Sequence, residues 1–507
     1  MLARVNSAAV VGLEAVPIEI EVDVASQGLP AFNIVGLPDR SVEEAKERVR
    51  SALKNSGAEF PGKRITVNLS PASLPKEGAS FDLPIAVGIL IASSQLTGDF
   101  SKALFVGELS LDGLLRSIPG ILPVSVLAKD KKFESIFVPE SNSKEAGLVS
   151  ANVYPVKTLK QLFLHLTKAE LIPLQKRIKI TPDKEISTEF DMKDIRGQER
   201  AKRAMEIAAS GSHNILLKGP PGAGKTLLAR TLVSILPTLS FEEALEVSSI
   251  YSVAGLTTND KPLVTTRPFR SPHHTTSVIG LIGGSTNPRP GEISLAHRGV
   301  LFVDELPEVP RSVLEALRQP LEDGVVTVSR AKGTHTFPAR FMLVAAANPC
   351  PCGFLGDPAK ECTCLPGQIS RYQKRLSGPI LDRIDIHLEV PAVKSEKLTT
   401  QEAVTVETSD SIQKRVQKAR EIQNKRFKEL PIFSNSEMTQ KEIKLYCILD
   451  QDSLNLMRQA ISSFALSARA YYRLLKIART IADLEGAEKI STPHVAEALQ
   501  YRFATVS

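Results

Sequence analysis

The stretch Gly219-Pro220-Pro221-Gly222-Ala223-Gly224-Lys225-Thr226 decides how the rest of the chain is read. It fits the pattern G-x-x-x-x-G-K-[ST], and it lies between an apolar strand-like run, Asn214–Lys218, and a helical run, Leu227–Leu236. That context is what the chemistry needs. Glycines let successive backbone N–H groups turn inward around phosphate oxygens, and a following helix adds partial positive charge at its N-terminus. All eight residues are expected to cradle the phosphates of ATP, with Lys225 reaching the β and γ groups and Thr226 ligating Mg2+.

Two further apolar runs extend the pattern downstream. Val300–Val303 ends in Asp304 and Glu305, two carboxylates with little structural reason to follow a buried strand. Asp304 is expected to hold Mg2+ through water, and Glu305 to orient and deprotonate the attacking water. Phe341–Ala346 leads to Asn348, whose amide either positions that water or caps the turn before Pro349. Strands alternating with helices predict a parallel sheet with crossover connections over residues 194–393.

Upstream the rhythm differs. Ile18–Val24 alternates apolar and acidic residues, Ile65–Leu69 repeats the alternation, and Ser41–Leu53 carries Val42, Ala45, Val49 and Ala52 at helical spacing. Residues 1–167 are therefore expected to form a mixed α+β domain, joined by a Lys-, Glu- and Pro-rich linker at 168–193. Residues 394–507 read as helical, with candidates at 411–429, 452–465, 468–484 and 492–500. The strand and helix rhythms make the fold class multidomain α/β; a length of 507 residues implies two or more domains, and 42% apolar with 23% charged residues describes an ordinary globular chain.

The longest apolar run, Leu83–Leu96, is broken by Pro84, Gly88 and Ser93-Ser94 and falls short of the roughly 18 residues of a membrane span. It is expected to be a buried helix, and no membrane partner is expected. The first residues lack the pattern of a secretory signal, which makes the cytoplasm the expected location. A net charge of +7 is too mild to establish nucleic-acid binding by itself.

Of five cysteines, Cys350, Cys352, Cys362 and Cys364 cluster on a Gly- and Pro-containing loop just after Asn348. Four thiolates suit tetrahedral Zn2+; an iron–sulfur cluster, a redox pair and unligated thiols remain as alternatives. Cys447 stands apart and is expected to be buried.

Taken together, the nucleotide loop, the acidic strand end and Asn348 resemble the AAA+ ATPases. The resemblance implies that Arg383, in Gly378-Pro-Ile-Leu-Asp-Arg-Ile-Asp385, is an arginine finger reaching a neighbouring subunit, with an ion pair to Asp382 or Asp385 as the alternative. Arg469, in Ser467-Ala-Arg469, resembles the sensor-2 arginine. Closer still is the resemblance to magnesium-chelatase-like AAA+ proteins of the YifB/ComM family. It is carried by "GLPDRSVEEAKERVRSAL", "NLSPASLPKEGASFDLPIA", "DIRGQERAKRAMEIAASGSHNILLKGPPGAGKT", "RPFRSPHHTTS", "GEISLAHRGVLFVDELPE", "LRQPLEDGVVTVSRA", "NPCPCG" and "ARTIADLEG", spread over essentially the whole chain.

This likeness implies a Lon-protease-like N-terminal domain, an AAA+ core with inserted hairpins, and a helical C-terminal lid. It also implies a homo-hexameric ATPase that moves on single-stranded or branched DNA, as a helicase or branch-migration motor in recombination or transformation. The alternatives are a chelatase-type motor that drives metal insertion through a partner, and a chaperone-like remodelling ATPase. One hairpin is implied in the second helix of the core, between Lys225 and Asp304. A second is legible directly: Val325–Arg330, a turn at Ala331-Lys332-Gly333, and a return over Thr334–Phe341. Its likeness to pore hairpins points to Lys332 and Arg330 as DNA-phosphate contacts; the alternative is a solvated basic turn. Phe269 gives little signal for base stacking, and His273 and His274 are expected to be loop or core residues rather than metal ligands.

"PKEGAS" at 75–80 resembles the serine loop of Lon-type proteases, but a Ser/Lys dyad needs a nearby amine. The lysine's place falls at about Leu122, and no lysine lies between 103 and 128. Ser80 is therefore expected to be inactive in proteolysis and to cap a helix that begins near Asp82. Lys76 is too near in sequence to be expected as its substitute.

Overall fold

The computed structural model describes residues 1–26, 29–74, 76–150, 152–176, 190–284, 288–330, 333–357, 360–376, 378–392, 407–464 and 466–502. They fall into two compact units: Met1–Pro182 with Phe241–Val264, and Asp183–Ser240 with Thr265–Ser507.

The first unit contains β1 (Leu2–Val11), β2 (Glu14–Val24), β3 (Ala31–Val35), β4 (Arg64–Ser70), β5 (Ala103–Phe105), β6 (Glu108–Leu109), β7 (Leu115–Arg116), β8 (Ser135–Pro139) and β9 (Val153–Val156). Seven of them form one mixed sheet in the order β3-β4-β2-β1-β5-β8-β9, while β6 and β7 pair separately. The alternation in β2 is realised: Ile18, Ile20, Val22 and Val24 are buried, with the acidic residues between them on the wetter face. Helix Arg40–Asn55 is capped by Asp39, which accepts the Val42 N–H at 2.8 Å, and it buries Val42, Ala45, Val49 and Ala52 as its spacing predicts. Helix Asp82–Ala92 is buried almost all round and packs on β1 and β2. A Cβ on Gly88 would lie 2.5 Å from the Val22 side chain, so glycine permits that close approach.

Ser80 does not cap this helix, contrary to the expectation. Its N-cap is Phe81, which already has helical backbone angles and makes no side-chain cap bond. The chain enters through a preceding turn, with the Asp82 N–H on the Ala79 carbonyl at 3.2 Å, so no extended residue is left to cap. Lys76 is fully buried, donates to the Pro71 carbonyl, and has its pKa lowered by that burial. Leu122, where the resemblance would require a lysine, is buried in the core.

The segment Phe241–Val264, which sequence reading assigns to the ATPase core, groups with the first unit. Helix Phe241–Val253 packs against helix Ile121–Asp130. The Ser252 carbonyl accepts the Gly120 N–H at 2.9 Å, and the Thr257 hydroxyl donates to the Glu145 carboxylate at 3.1 Å. These pairings are remote in sequence, which is why no local pattern announces them.

The second unit contains β10 (Ile215–Lys218), β11 (Phe269–Arg270), β12 (Val300–Val303), β13 (Val325–Arg330), β14 (Gly333–Pro338), β15 (Met342–Ala347) and β16 (Ile386–Glu389). Five strands form a wholly parallel sheet in the order β11-β12-β15-β10-β16. β12 and β15 are buried along their whole length, as parallel strands covered on both faces must be. β13 and β14 form the antiparallel hairpin legible in the sequence, ending at the Arg330–Gly333 pair. Its tip, Ala331-Lys332, lies outside the described residues.

Helices Ser409–Arg426, Gln451–Phe464, Ala468–Leu484 and Thr492–Leu499 match the four helical candidates, and a short helix, Gln440–Tyr446, is added. Its signal was the capping box formed by Thr439 and Glu442. Val416, Leu474, Ile477 and Ile481 share one continuous core with Ile215, Phe302 and Val344 of the sheet. Between Lys225 and Asp304 the described residues carry short helices Val278–Ile282 and Glu292–Leu295, with a single antiparallel bridge at Gly283–Pro290. Among the described residues, no helix is long and apolar enough to cross a membrane.

Candidate active site

Because β10, β12 and β15 are parallel neighbours, their C-terminal ends open on one edge of the sheet. The register pairs Lys218 with Ala347 and Val303 with Ala345, which brings the glycine-rich loop, Asp304-Glu305 and Asn348 together. Gly222 at φ +78° and Gly224 at φ +85° occupy the left-handed region that glycine enters without strain. Lys225 opens helix Lys225–Thr231 and turns its ammonium back into the loop. Its Nζ donates to the Gly219 carbonyl at 2.7 Å, the Pro220 carbonyl at 2.9 Å and Asn348 Oδ1 at 3.0 Å. Burial lowers its pKa, and the nearby Asp304 and Glu305 carboxylates oppose that shift.

Thr226 Oγ1 donates to Asp304 Oδ2 at 3.2 Å, and the Glu305 N–H donates to Asp304 Oδ1 at 2.9 Å. Glu305 has φ +48°, a conformation that costs a non-glycine residue about 1 kcal/mol or more. The strand thus ends in a strained turn that carries the two acids. A hydroxyl and a carboxylate converging beside a cradle of backbone donors form an all-oxygen set, the kind a hard cation such as Mg2+ takes next to phosphate. These residues fit a Mg2+–nucleotide.

Sequence reading gave no role to Gln198. Its Nε2 donates to the Ala223 carbonyl at 2.8 Å, tying the nucleotide loop to the turn before helix Glu199–Gly211. Its Oε1 is buried without a hydrogen-bond partner. The only hint was its place in the quoted stretch "DIRGQE".

The two arginines meet on a shared carboxylate that no local pattern indicated. Arg383 is nearly buried; its Nη2 donates to Glu322, and its Nη1 to the Pro379 carbonyl at 2.7 Å. Arg469 Nη2 donates to the other Glu322 oxygen at 3.2 Å. Arg383, and then the desolvation-opposing charges of Arg469 and Arg473, hold the Glu322 carboxyl below its usual range. Arg383 therefore pairs with neither of its expected sequence neighbours. Asp385 instead accepts from Arg473 Nη1, from the Asn214 N–H at 3.2 Å and from the His213 ring at 3.3 Å.

The four clustered cysteines converge. Their sulfurs all lie within 4.8 Å of one another, with Cys350–Cys352 at 3.4 Å, Cys350–Cys362 at 3.6 Å and Cys352–Cys362 at 3.5 Å. These separations far exceed the ~2.05 Å of a disulfide. They approach the ~3.8 Å edge of a tetrahedron built on Zn–S bonds of about 2.3 Å. Cys447 is buried away from them, its thiol pushed up to about 12 by desolvation.

Phe269 stacks on Phe302 of the core with ring centroids 6.0 Å apart, which removes it as an open platform for bases. His273 and His274 lie against each other at 4.1 Å on the exposed surface. Among the described residues, the metal-ligating group is formed by the four cysteines and excludes both histidines.

Comparison with known proteins shows the family. The profile described as magnesium chelatase, subunit ChlI, matches residues 191–398; two further profiles, for subunit ChlI of Mg-chelatase and for its C-terminal part, match 20–142 and 406–502. The chain is 47% identical to competence protein ComM of Haemophilus influenzae over 99% of its own length and 97% of that protein. It belongs to the magnesium-chelatase-like ComM/YifB family. A YifB protein of Salmonella typhimurium is 46% identical over the same shares of both chains. The magnesium-chelatase 38 kDa subunit of Cereibacter sphaeroides is 29% identical over 179 residues, 32% of this chain and 53% of that one. As a ComM/YifB member, the protein has an ATPase-like core of the magnesium-chelatase type.

Proposed function

We propose that the protein is a cytoplasmic Mg2+-dependent AAA+ ATPase that assembles as a homo-hexameric ring and works as a DNA motor on single-stranded or branched DNA. The observation that carries the ATPase reading is the bond from Lys225 to Asn348 beside the Thr226–Asp304 contact. Lys225 would exchange its carbonyl partners for β and γ phosphate oxygens, and Asn348 and Glu305 would then share the attacking water. Thr226 and Asp304 would hold Mg2+, which supplies charge neutralisation on the phosphate chain when bound. Arg383, held beside Arg469 by Glu322, would reach the γ-phosphate of an adjoining protomer, and Arg469 would serve as the sensor-2 arginine. Cys350, Cys352, Cys362 and Cys364 would bind Zn2+.

The DNA reading rests on full-length similarity to a protein named for competence and on the β13–β14 hairpin, whose Arg330 and Lys332 would contact backbone phosphates. The α+β first unit would serve docking or ring assembly. The chelatase-type motor is the second reading, favoured by the family profiles; a remodelling ATPase is a third. ATP turnover measured with and without forked or single-stranded DNA separates them. Stimulation by DNA supports the motor. Indifference to DNA combined with stimulation by a tetrapyrrole-binding partner refutes it.

A further inference from the structure

We propose that the four-thiolate loop is a metal-dependent brace for the nucleotide loop: Zn2+ held by Cys350, Cys352, Cys362 and Cys364 fixes both Asn348 and Pro221, so losing the metal weakens nucleotide binding. The inference rests on the ATPase reading and adds a coupling to it. Two independent contacts carry it. On one side, Asn348 stands two residues before Cys350 and accepts the Lys225 ammonium at 3.0 Å. On the other, Gly353 lies directly on the nucleotide loop: a Cβ there would fall 2.5 Å from Pro221 Cδ and 2.6 Å from its Cγ. The Gly353 N–H closes a turn onto the Cys350 carbonyl at 3.0 Å, so the residue pressing on Pro221 is set by the first ligand.

The loop has little else to hold it. Between Ala347 and Pro366 the described residues form no helix or strand, and Leu355 and Leu365 point into solvent. Its side-chain cross-links include the converging sulfurs, with the Cys352 N–H donating to Cys364 Sγ at 3.3 Å, and the exposed Lys360, whose ammonium lies 5.0 Å from the Phe354 ring centroid and whose N–H donates to Asp357 Oδ1 at 3.2 Å. The ties to the following helix lie at the loop's two ends: Gln373 Nε2 donates to the Pro349 carbonyl at 3.2 Å near the entry, and the Leu365 N–H donates to Gln368 Oε1 at 3.0 Å at the exit. Soft thiolates select a soft or borderline cation over Mg2+, and a structural ion supplies ordering energy that so small an apolar surface does not. The nucleotide loop and the cysteine loop thus share one wall. Displacing that wall by even a fraction of an ångström misplaces the groups that receive phosphate.

The test uses the full chain, purified without a metal-affinity tag, with zinc measured by elemental analysis and Mg2+–nucleotide binding by a fluorescent ADP analogue. Wild type should carry about one zinc per chain. Cys362→Ser with Cys364→Ser should lose the metal and bind nucleotide at least about fivefold more weakly. Gly353→Ala should keep the zinc and still lose affinity, because the new methyl meets Pro221. Gly356→Ala is the control: at φ +79° it carries similar backbone strain with nothing within 4 Å, and it should change neither readout. Stripping wild type with phenanthroline and restoring Zn2+ repeats the comparison without relying on a variant that folds. Zinc below about 0.2 per chain overturns the metal site. Zinc at full occupancy in wild type with unaltered nucleotide affinity in the zinc-free double-serine variant overturns the coupling, as does unaltered affinity in Gly353→Ala. Wild type that holds zinc but binds no nucleotide overturns the ATPase reading, and the coupling with it.

Discussion

Glu322 offers a sharp test of where the arginines act. In the structure its carboxylate holds Arg383, whose side chain is 7% exposed, and Arg469, whose side chain is 58% exposed. If Arg383 serves an adjoining protomer's phosphate, it must first leave Glu322. A charge-assisted hydrogen bond contributes about 1.5–3 kcal/mol when desolvated, and Glu322, being half exposed, keeps roughly 1 kcal/mol of that. Glu322→Gln preserves the shape and removes the charge, so it should ease release of Arg383 by about fivefold. Arg383→Ala removes the group itself and should lower kcat by about 10³-fold, the scale of other arginine fingers. Phosphate release at saturating Mg2+–ATP, with assembly followed by native mass spectrometry, measures both. The expected pattern is turnover in Glu322→Gln equal to or a few-fold above wild type, with Arg383→Ala nearly inactive yet assembled. Turnover in Arg383→Ala within twofold of wild type refutes the finger. Equal loss in both variants refutes sequestration and makes Glu322 a required positioning group.

Burial raises the Asp82 carboxyl to about 6 despite Arg48 Nε at 2.6 Å, so the folded chain binds this proton more tightly than the unfolded one. Its stabilising contribution is therefore complete below about pH 4 and is lost as pH rises through about 6, some 3 kcal/mol in all. Asp82→Asn should flatten that part of the pH profile of hydrogen exchange in helix Asp82–Ala92, and an unchanged profile contradicts the assignment. Asp483 is fully buried and accepts from Arg479 Nε at 3.0 Å, Arg426 Nη1 at 2.8 Å and Asn435 Nδ2 at 2.8 Å. Asp483→Ala leaves the buried Arg479 uncompensated and should cost about 3–5 kcal/mol in chemical denaturation; a loss under about 1 kcal/mol argues against this network. Lys332→Ala should weaken single-stranded DNA binding and reduce its salt slope by about one, and unchanged binding dismisses the pore hairpin.

Much of the candidate site was readable because its chemistry is local. The nucleotide loop needs glycines at fixed offsets before Lys225, the acids must follow a buried strand, and four cysteines fall within one loop. The helices of the C-terminal region announced themselves by the period of their apolar residues, since burial of one face acts within a few turns. Ser80 shows the limit of such reading: the residue type suited a cap, but the entering turn left it no place to serve as one.

The sequence by itself determined that the chain carries a glycine-rich loop with Lys225 and Thr226, two acids after a buried strand and four cysteines on one loop, and it marked most of the strands and helices described above. Tertiary structure alone decided what those groups face. It set Asn348 on Lys225, Gly353 on Pro221, Glu322 between Arg383 and Arg469, and the helix Phe241–Val253 against Ile121–Asp130. Each pair joins residues far apart along the chain, where no periodicity or propensity acts. Lys225 and Asn348 meet because the strand order and register of the parallel sheet bring the ends of β10 and β15 to one edge, and the other pairs meet through packing within their own unit.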